Sequence, residues 1–449
     1  MNKAGQAERG KGLTMFANSK MRENCGRLIK VYREMRHASS KDHQYNCSEF
    51  ILATREHPFF EVAEGQPVCS RATLNRMERG LSVRDDELYE FFIGKLGFRA
   101  SEFPGVIEQA EKLGEELYSA VELYDVSKIE QLDKQIDTLF EKARNYFYYN
   151  EVYTALKTVT DYYLNAGYPD YDIAYNVHIT SFVLSEKVEE LVLIVLFDYF
   201  YYRIYDIRTS EILFNKMEKH KELKVSTLYI ATWLIYKKRL FDAIDATNKA
   251  IDYYSMMHSD YQLGVLYYTK ALALHSGNKE NVKYFFDLSI EKLKKVSGHL
   301  ATKKLQGNYF NIGFYYYYDE EYESAIDYFE KFLSFKPDFN IHLLYILHCC
   351  EMLKVKNKKE LFKDIKFVPT KNNKFCEVFF IYFKMKLENR SEKELECYIM
   401  QEIHRVLDEN YRSDSLIHYF KNELINLVKV TKCYKDITEF GIFTSHKID

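Results

Sequence analysis

Residues Gly307 to Pro337 read GNYFNIGFYYYYDEEYESAIDYFEKFLSFKP. Asn308, Tyr309, Ile312, Gly313 and Tyr316 recur at helical spacing, so their side chains share one face. Asp319-Glu320-Glu321 then interrupts the apolar pattern. Ala325, Phe329 and Phe332 begin a second stripe, which Pro337 ends. Gly313 and Ala325 are small enough to let two helix backbones approach closely. The stretch therefore predicts two short helices joined by a polar turn. One such pair cannot bury its apolar face alone, so neighbours are implied.

Looser copies occur upstream. Ala143, Tyr146, Ala155, Val159 and Tyr162 form one. Ala231 to Leu234 with Ala243, Thr247 and Ala250 form a second, and Tyr267 to Lys270 with Val282, Phe286 and Ser289 a third. The span Asp172 to Leu223 leaves room for one further pair. Amphipathic helices are predicted downstream over Ile341–Leu353, Lys374–Leu387, Glu392–Asp408 and Ser415–Lys429. The order Tyr309, Ile312-Gly313, Tyr316, then Ala325, Phe329 and Pro337, resembles a tetratricopeptide repeat. The small positions Ala155, Ala243, Val282 and Ala325 stand further apart than that repeat's 34 residues, so helices or loops are elongated. The resemblance implies a right-handed α-solenoid.

Composition supports a helical chain. Of 449 residues, 47% are hydrophobic, enough for a large core, while 17 Gly and 6 Pro are too few for many tight β-turns. The 39 Tyr and 32 Phe read mainly as core. A formal net charge of −3 gives no global basic signal, so any nucleic-acid contact must be a local patch. The eight cysteines form no CxxC pair and have no histidines at zinc spacing. They read as reduced thiols. The most apolar run, Leu191 to Tyr202, is too short for a membrane and carries Asp198. With no apolar signal core in residues 1–20, which read as a flexible tail, a cytoplasmic location is expected. GxGxxG, GxxxxGK[ST], HExxH and GxSxG are all missing, so no enzyme and no cofactor is expected.

The N-terminal unit carries the local patch. Asn24 to Arg36 is predicted as an amphipathic helix, with Asn24 as cap, Leu28, Ile29, Tyr32 and Met35 inward, and Arg27, Lys30, Arg33 and Arg36 outward. Val68 to Gly80 reads VCSRATLNRMERG. Ser70 suits an N-cap, Leu74 and Met77 face inward, and Gly80 suits the C-terminus. Ser70, Arg71, Thr73, Asn75, Arg76 and Arg79 are left outside. Arg and Asn read guanine and adenine edges bidentately, and Ser and Thr at a helix start suit phosphates. An ordinary exposed Arg-rich helix has the same pattern. The stretch resembles the recognition helix and following turn of the Xre/Cro-type helix-turn-helix family. The loop Leu81 to Asp86 and the helix Glu87 to Leu96 fit the sequel. The departure is the long span from Arg36 to Ser70, which includes REHPFFEVAEGQP. There, Cys47 to Thr54 offers the one candidate for the preceding helix, or else a short strand.

An Xre-type unit over 21–103, a linker helix over 104–130 and a repeat array over 131–449 together resemble the RRNPP group of peptide-pheromone regulators (Rgg, Rap, NprR, PlcR, PrgX). The resemblance rests on CSRATLNRMERG and on NYFNIGFYYYYDEEYESAIDYFEKFL. It implies a cytoplasmic, homodimeric regulator that binds double-stranded DNA and is switched, in quorum sensing, by a short signalling peptide in the repeat groove. Carried onto this chain, it makes Asn311 the leading peptide contact, followed by Asn308, Asn248 and Tyr315. Asn side chains can pair with any peptide backbone, but a buried Asn tying two helices accounts equally well for Asn308 or Asn311 alone. The Rap branch of the group implies an alternative, a scaffold that captures a response regulator or another protein without binding DNA.

Overall fold

The computed structural model describes residues 19–436, apart from 41–42, 55–59, 82, 84, 221–223, 278–280, 336–340, 355–373 and 410–413. The expected tail up to residue 18, Pro337, Ser82, Arg84 and the start of REHPFFEVAEGQP lie outside the described residues. The fold is all-α. Among the described residues every regular element is helical, beside one isolated antiparallel bridge between Leu52 and Pro67. The chain divides into two compact units, residues 1–303 and 304–449.

The first unit opens with a small bundle: α1 (Ser19–Ser40), α2 (Cys47–Phe50), α3 (Arg71–Glu78) and α4 (Asp86–Lys95). Its core is Leu28 and Ile29 from α1, Phe50 from α2, Leu74 and Met77 from α3, and Tyr89, Phe92 and Ile93 from α4. Each large apolar side chain fully buried here contributes about 1.5–3 kcal/mol. Helix α1 starts at Ser19, upstream of the expected cap, because Met21 and Cys25 also bury and continue its apolar face. Asn24 is therefore an interior residue. The expected outward basic face is also split: Arg27 and Lys30 are exposed, but Arg33 is buried.

Between α2 and α3 the chain makes an excursion. Helix α2 is a single turn, capped by the Asn46 side chain, which accepts the N–H groups of Ser48 and Glu49 at 2.9 and 3.0 Å. The flanks of the excursion pair directly. Ala53 N–H donates to the Gln66 carbonyl, Gly65 N–H to that of Ala53, and Val68 N–H to that of Ile51, each at 2.9 Å. The Cys47–Thr54 stretch thus divides between a helical turn and a bridge. Lys95 Nζ locks the base by donating to the carbonyls of Glu49 (2.9 Å) and Leu52 (2.7 Å).

The rest of the first unit contains α5 (Val106–Leu123), α6 (Val126–Phe140), α7 (Tyr149–Asn165), α8 (Tyr171–Thr180), α9 (Glu186–Asp198), α10 (Ile207–Met217), α11 (Thr227–Tyr236), α12 (Leu240–Met256), α13 (Asp260–Gly277), α14 (Val282–Lys294) and the start of α15 (His299–Tyr318). Sequence neighbours pack together: α5 on α6, α6 on α7, α9 on α10, and α11 through α14 in series. Ala143 and Tyr146, expected on the first helix of a pair, lie in the turn between α6 and α7 instead. There Tyr148 takes φ 73°, which ends any helix, so α6 supplies the partner of α7. The second and third expected pairs are α11–α12 and α13–α14. In the latter, a Cβ on Gly264 would lie 2.6 Å from Leu293 Cγ, so only glycine permits this approach. Helix α9 is buried on nearly all sides, as its uniform apolarity requires, and continues into a π-helical turn over Tyr199–Ile204. Helix α5, expected as a linker, buries Leu117, Tyr118 and Val121 and packs on α6, α7, α9 and α13.

The second unit holds the remainder of α15, then α16 (Tyr322–Leu333), α17 (Ile341–Met352), α18 (Lys374–Leu387), α19 (Glu392–Tyr398), α20 (His404–Glu409) and α21 (Asp414–Thr431). A Cβ on Gly313 would lie 2.6 Å from the Phe329 ring, so the close crossing read from Gly313 and Ala325 holds. Among the described residues no helix is long and apolar enough to cross a membrane.

Candidate functional site

Helix α3 is built as a polar strip on an apolar base. Ser70 adopts an extended backbone, and its Oγ accepts the Thr73 N–H at 3.1 Å, capping the helix. Ser70 Oγ and Thr73 Oγ1 also share a hydrogen bond of 2.9 Å. The helix ends in a Schellman arrangement: Gly80 N–H donates to the Met77 carbonyl and Leu81 N–H to that of Arg76, both at 2.9 Å. Gly80 sits at φ +74°, where glycine carries no penalty. Between these ends Leu74 and Met77 are fully buried, while Ser70, Arg71, Asn75, Arg76 and Arg79 are exposed and Thr73 is half-buried. The six residues expected to meet DNA thus fall on one capped helix. Among the described residues, the side chains of Arg71, Arg76 and Arg79 hold no ion pair.

What fixes α3 was not read from the sequence. Arg33 of α1 and Glu78 of α3 form a buried fork, Nε to Oε1 at 2.6 Å and Nη2 to Oε2 at 2.9 Å. Arg33 Nη1 also donates to the Tyr45 carbonyl at 3.0 Å. Both residues are about 95% buried, at 5% and 6% exposure. The pairing consumes the negative charge of Glu78, so the outward face of α3 is left with its arginines. Gly26 of α1 lies against the same end, where a Cβ would stand 2.1 Å from the Met77 carbonyl oxygen. Burial pushes the Cys69 thiol, just before the cap, up to about 11, which suits an inert side chain rather than a nucleophile.

The expected peptide contacts are less uniform. Asn308, Asn311 and Tyr315 share α15; Asn248 is on α12, in the first unit. Asn311 is exposed, Tyr315 and Asn248 are half-buried, and Asn308 is 5% exposed. A groove of about 750 Å³ opens elsewhere, between α5 and α6, lined by Lys112, Glu116, Glu130 and Lys134 among others. None of the four expected residues lines it.

Two further polar clusters lie inside. In the first unit, Asp198 is buried and accepts from the Tyr168 hydroxyl, near a bond of 3.1 Å between the hydroxyls of Tyr162 and Tyr229. In the second unit, the Tyr317 hydroxyl meets His348 Nδ1 at 2.5 Å, and Lys386 pairs with Glu351 at 2.6 Å and Glu423 at 2.8 Å. Burial lowers His348 to about 4 and His342 to about 3, so both are neutral imidazoles at pH 7. Among the described residues, no group of three or more His, Cys, Asp and Glu could hold a metal ion. Neither the family models, the curated proteins nor the solved structures yield a match to the chain.

Proposed function

We propose that the chain is a cytoplasmic, homodimeric transcriptional regulator of the RRNPP type. In this reading residues 21–103 form a helix-turn-helix unit that binds operator DNA. Residues 131–449 form a right-handed solenoid of helix pairs whose groove takes a short signalling peptide. The observation that carries the reading is the outward face of α3, with Arg71, Asn75, Arg76 and Arg79 exposed over a buried base. Arginine and asparagine supply bidentate contacts to guanine and adenine edges, and the Ser70–Thr73 end suits phosphate. Peptide binding would shift the population between two dimer geometries and so change the spacing of the paired α3 helices. Exposed Asn311 fits a peptide contact; buried Asn308 fits a tie between helices.

The test is binding of a duplex from the chain's own promoter region at low salt, with and without peptides encoded beside the gene. Arg71→Ala and Arg76→Ala should each weaken specific binding by about 1–3 kcal/mol. No shift under either condition sinks the reading.

A second reading is a Rap-like scaffold that captures a protein partner without DNA. One observation favours it: α2 is a single turn, and the excursion from Ile51 to Ser70 replaces the tight turn that helix-turn-helix units use. A partner recovered equally well by the wild-type chain and the Arg71→Ala/Arg76→Ala variant, with no DNA shift, would decide for it.

A further inference from the structure

Adjacent residues of α1 hold two different parts of the first unit. Arg33 turns to α3 and forks onto Glu78. Tyr32 turns to a different face, and its hydroxyl donates to Glu151 Oε1 of α7 at 2.6 Å. Glu151 is 7% exposed, and burial holds its carboxyl above the usual range. Burying a carboxyl group is costly unless it is hydrogen-bonded, and Tyr32 supplies such a bond.

The surroundings reinforce the join. The rings of Tyr32, Phe98 and Phe147 cluster, with centroids 4.7, 5.4 and 5.8 Å apart. They come from α1, from the end of the bundle and from the turn before α7. Phe147 N–H donates to the Arg99 carbonyl at 2.9 Å, and Phe103 N–H to the Tyr149 hydroxyl at 3.0 Å. Two turns earlier on α1, Asn24 Nδ2 reaches the Tyr148 hydroxyl at 3.5 Å. Helix α1 also packs on α8 and on the short turn Ser181–Val183. The span 99–105 between bundle and array is therefore bridged from both sides, not left as a free hinge.

We infer that Tyr32 and Glu151 are positioning residues that lock α3 to α7 through α1. The DNA-reading helix then changes orientation only together with the array and does not swing on a flexible connection. A single α-helix, with Tyr32 and Arg33 about 100° apart on its surface, passes any rotation of α7 directly to α3. This rests on the proposed reading of α3 as the DNA-contacting helix; the lock itself does not.

Two readouts on the full chain separate them. One is amide hydrogen exchange over residues 99–105, with α9 and α13 as internal references. The other is the ratio of affinities for the promoter-region duplex and a random duplex of equal length. Tyr32→Phe removes the hydroxyl alone. It is expected to speed exchange over 99–105 at least tenfold, leave α9 and α13 unchanged, and cut the affinity ratio at least fivefold. The double variant Tyr32→Phe/Glu151→Leu replaces the polar pair by an apolar one. It is expected to fold and still show the reduced ratio, and it decides the matter if Tyr32→Phe does not fold. Unchanged exchange in Tyr32→Phe overturns the lock. Recovery of the ratio in the double variant, along with stability, overturns the positioning role and leaves only packing. A wild-type chain that cannot tell the two duplexes apart sinks the DNA reading, and the exchange response alone then decides the lock.

Discussion

Helices α3 and α15 both carry candidate contacts, but they are built on opposite plans. In α3 the division is sharper: Leu74, Met77 and Glu78 face inward, and every polar candidate but half-buried Thr73 is exposed. In α15 the candidates straddle the boundary, with Asn308 inside and Asn311 outside, on a helix crowded by aromatic rings. Phe314 and Tyr317 pack on Tyr345 with centroids 4.5 and 5.0 Å apart. A surface helix shows its function in what it leaves exposed. A helix packed on several sides mixes structure and function at the same spacing, and the two can be told apart only by burial.

The sharpest way to break this comparison is to remove the support of α3. Arg33→Ala strands the Glu78 carboxylate in the interior and should cost about 3–5 kcal/mol in urea unfolding. Replacing both partners by apolar residues of similar volume should cost far less, because no unpaired charge remains. Equal losses in the single and double variants would mean that the fork merely fills space.

The second test is pH, and it acts on the other region. His342 and His348 titrate near 3 and 4 when folded, against about 6.5 when unfolded. The unfolded chain therefore binds more protons as the pH falls. Stability from the neutral imidazoles is complete above about pH 6.5 and is lost progressively towards pH 3–4. At pH 5 the loss is on the order of 2 kcal/mol for each histidine. Thermal unfolding at pH 7 and pH 5 should show it, and His342→Phe should remove about half of the histidine contribution. A wild-type melting temperature that does not change between those two values would contradict the buried, neutral assignment.

The smallest effects separate the two asparagines. Asn308→Ala should destabilise by about 1–3 kcal/mol, as the loss of a buried polar side chain does. Asn311→Ala should stay within about 0.5 kcal/mol, as exposed sites do. If Asn311 proves as costly as Asn308, it too is a structural tie, and the proposed peptide contact at Asn311 is lost.

Much of this organisation was legible in the residues themselves. Gly313 opposite Phe329, the pairs α11–α12 and α13–α14, and the span Lys374–Leu387 follow from helical periodicity and small-residue spacing. Ser70, Leu74, Met77 and Gly80 announced the cap, base and end of α3. The burial of Arg33 was not legible, because its partner Glu78 is distant in the chain and no local pattern distinguishes a buried arginine from an exposed one. The Tyr32–Glu151 contact was hidden for the same reason. The first helix pair was misplaced because Ala143 and Tyr146 imitate the repeat spacing, whereas the positive φ at Tyr148 depends on packing. Asp125, which caps α6 by accepting the Lys128 N–H at 3.0 Å, was the overlooked sign of the true first helix.

The bridge at Leu52 and Pro67 carries an engineering consequence. Because the flanks of the excursion meet and Lys95 fastens their base, the separation of α2 and α3 does not depend on how much chain lies between Ala53 and Gln66. Doubling the length of a closed loop costs only about 0.6 kcal/mol. An affinity tag or fluorescent reporter grafted there would be carried next to α3 with little disturbance to the bundle, giving a handle for testing whether the helix binds DNA at all.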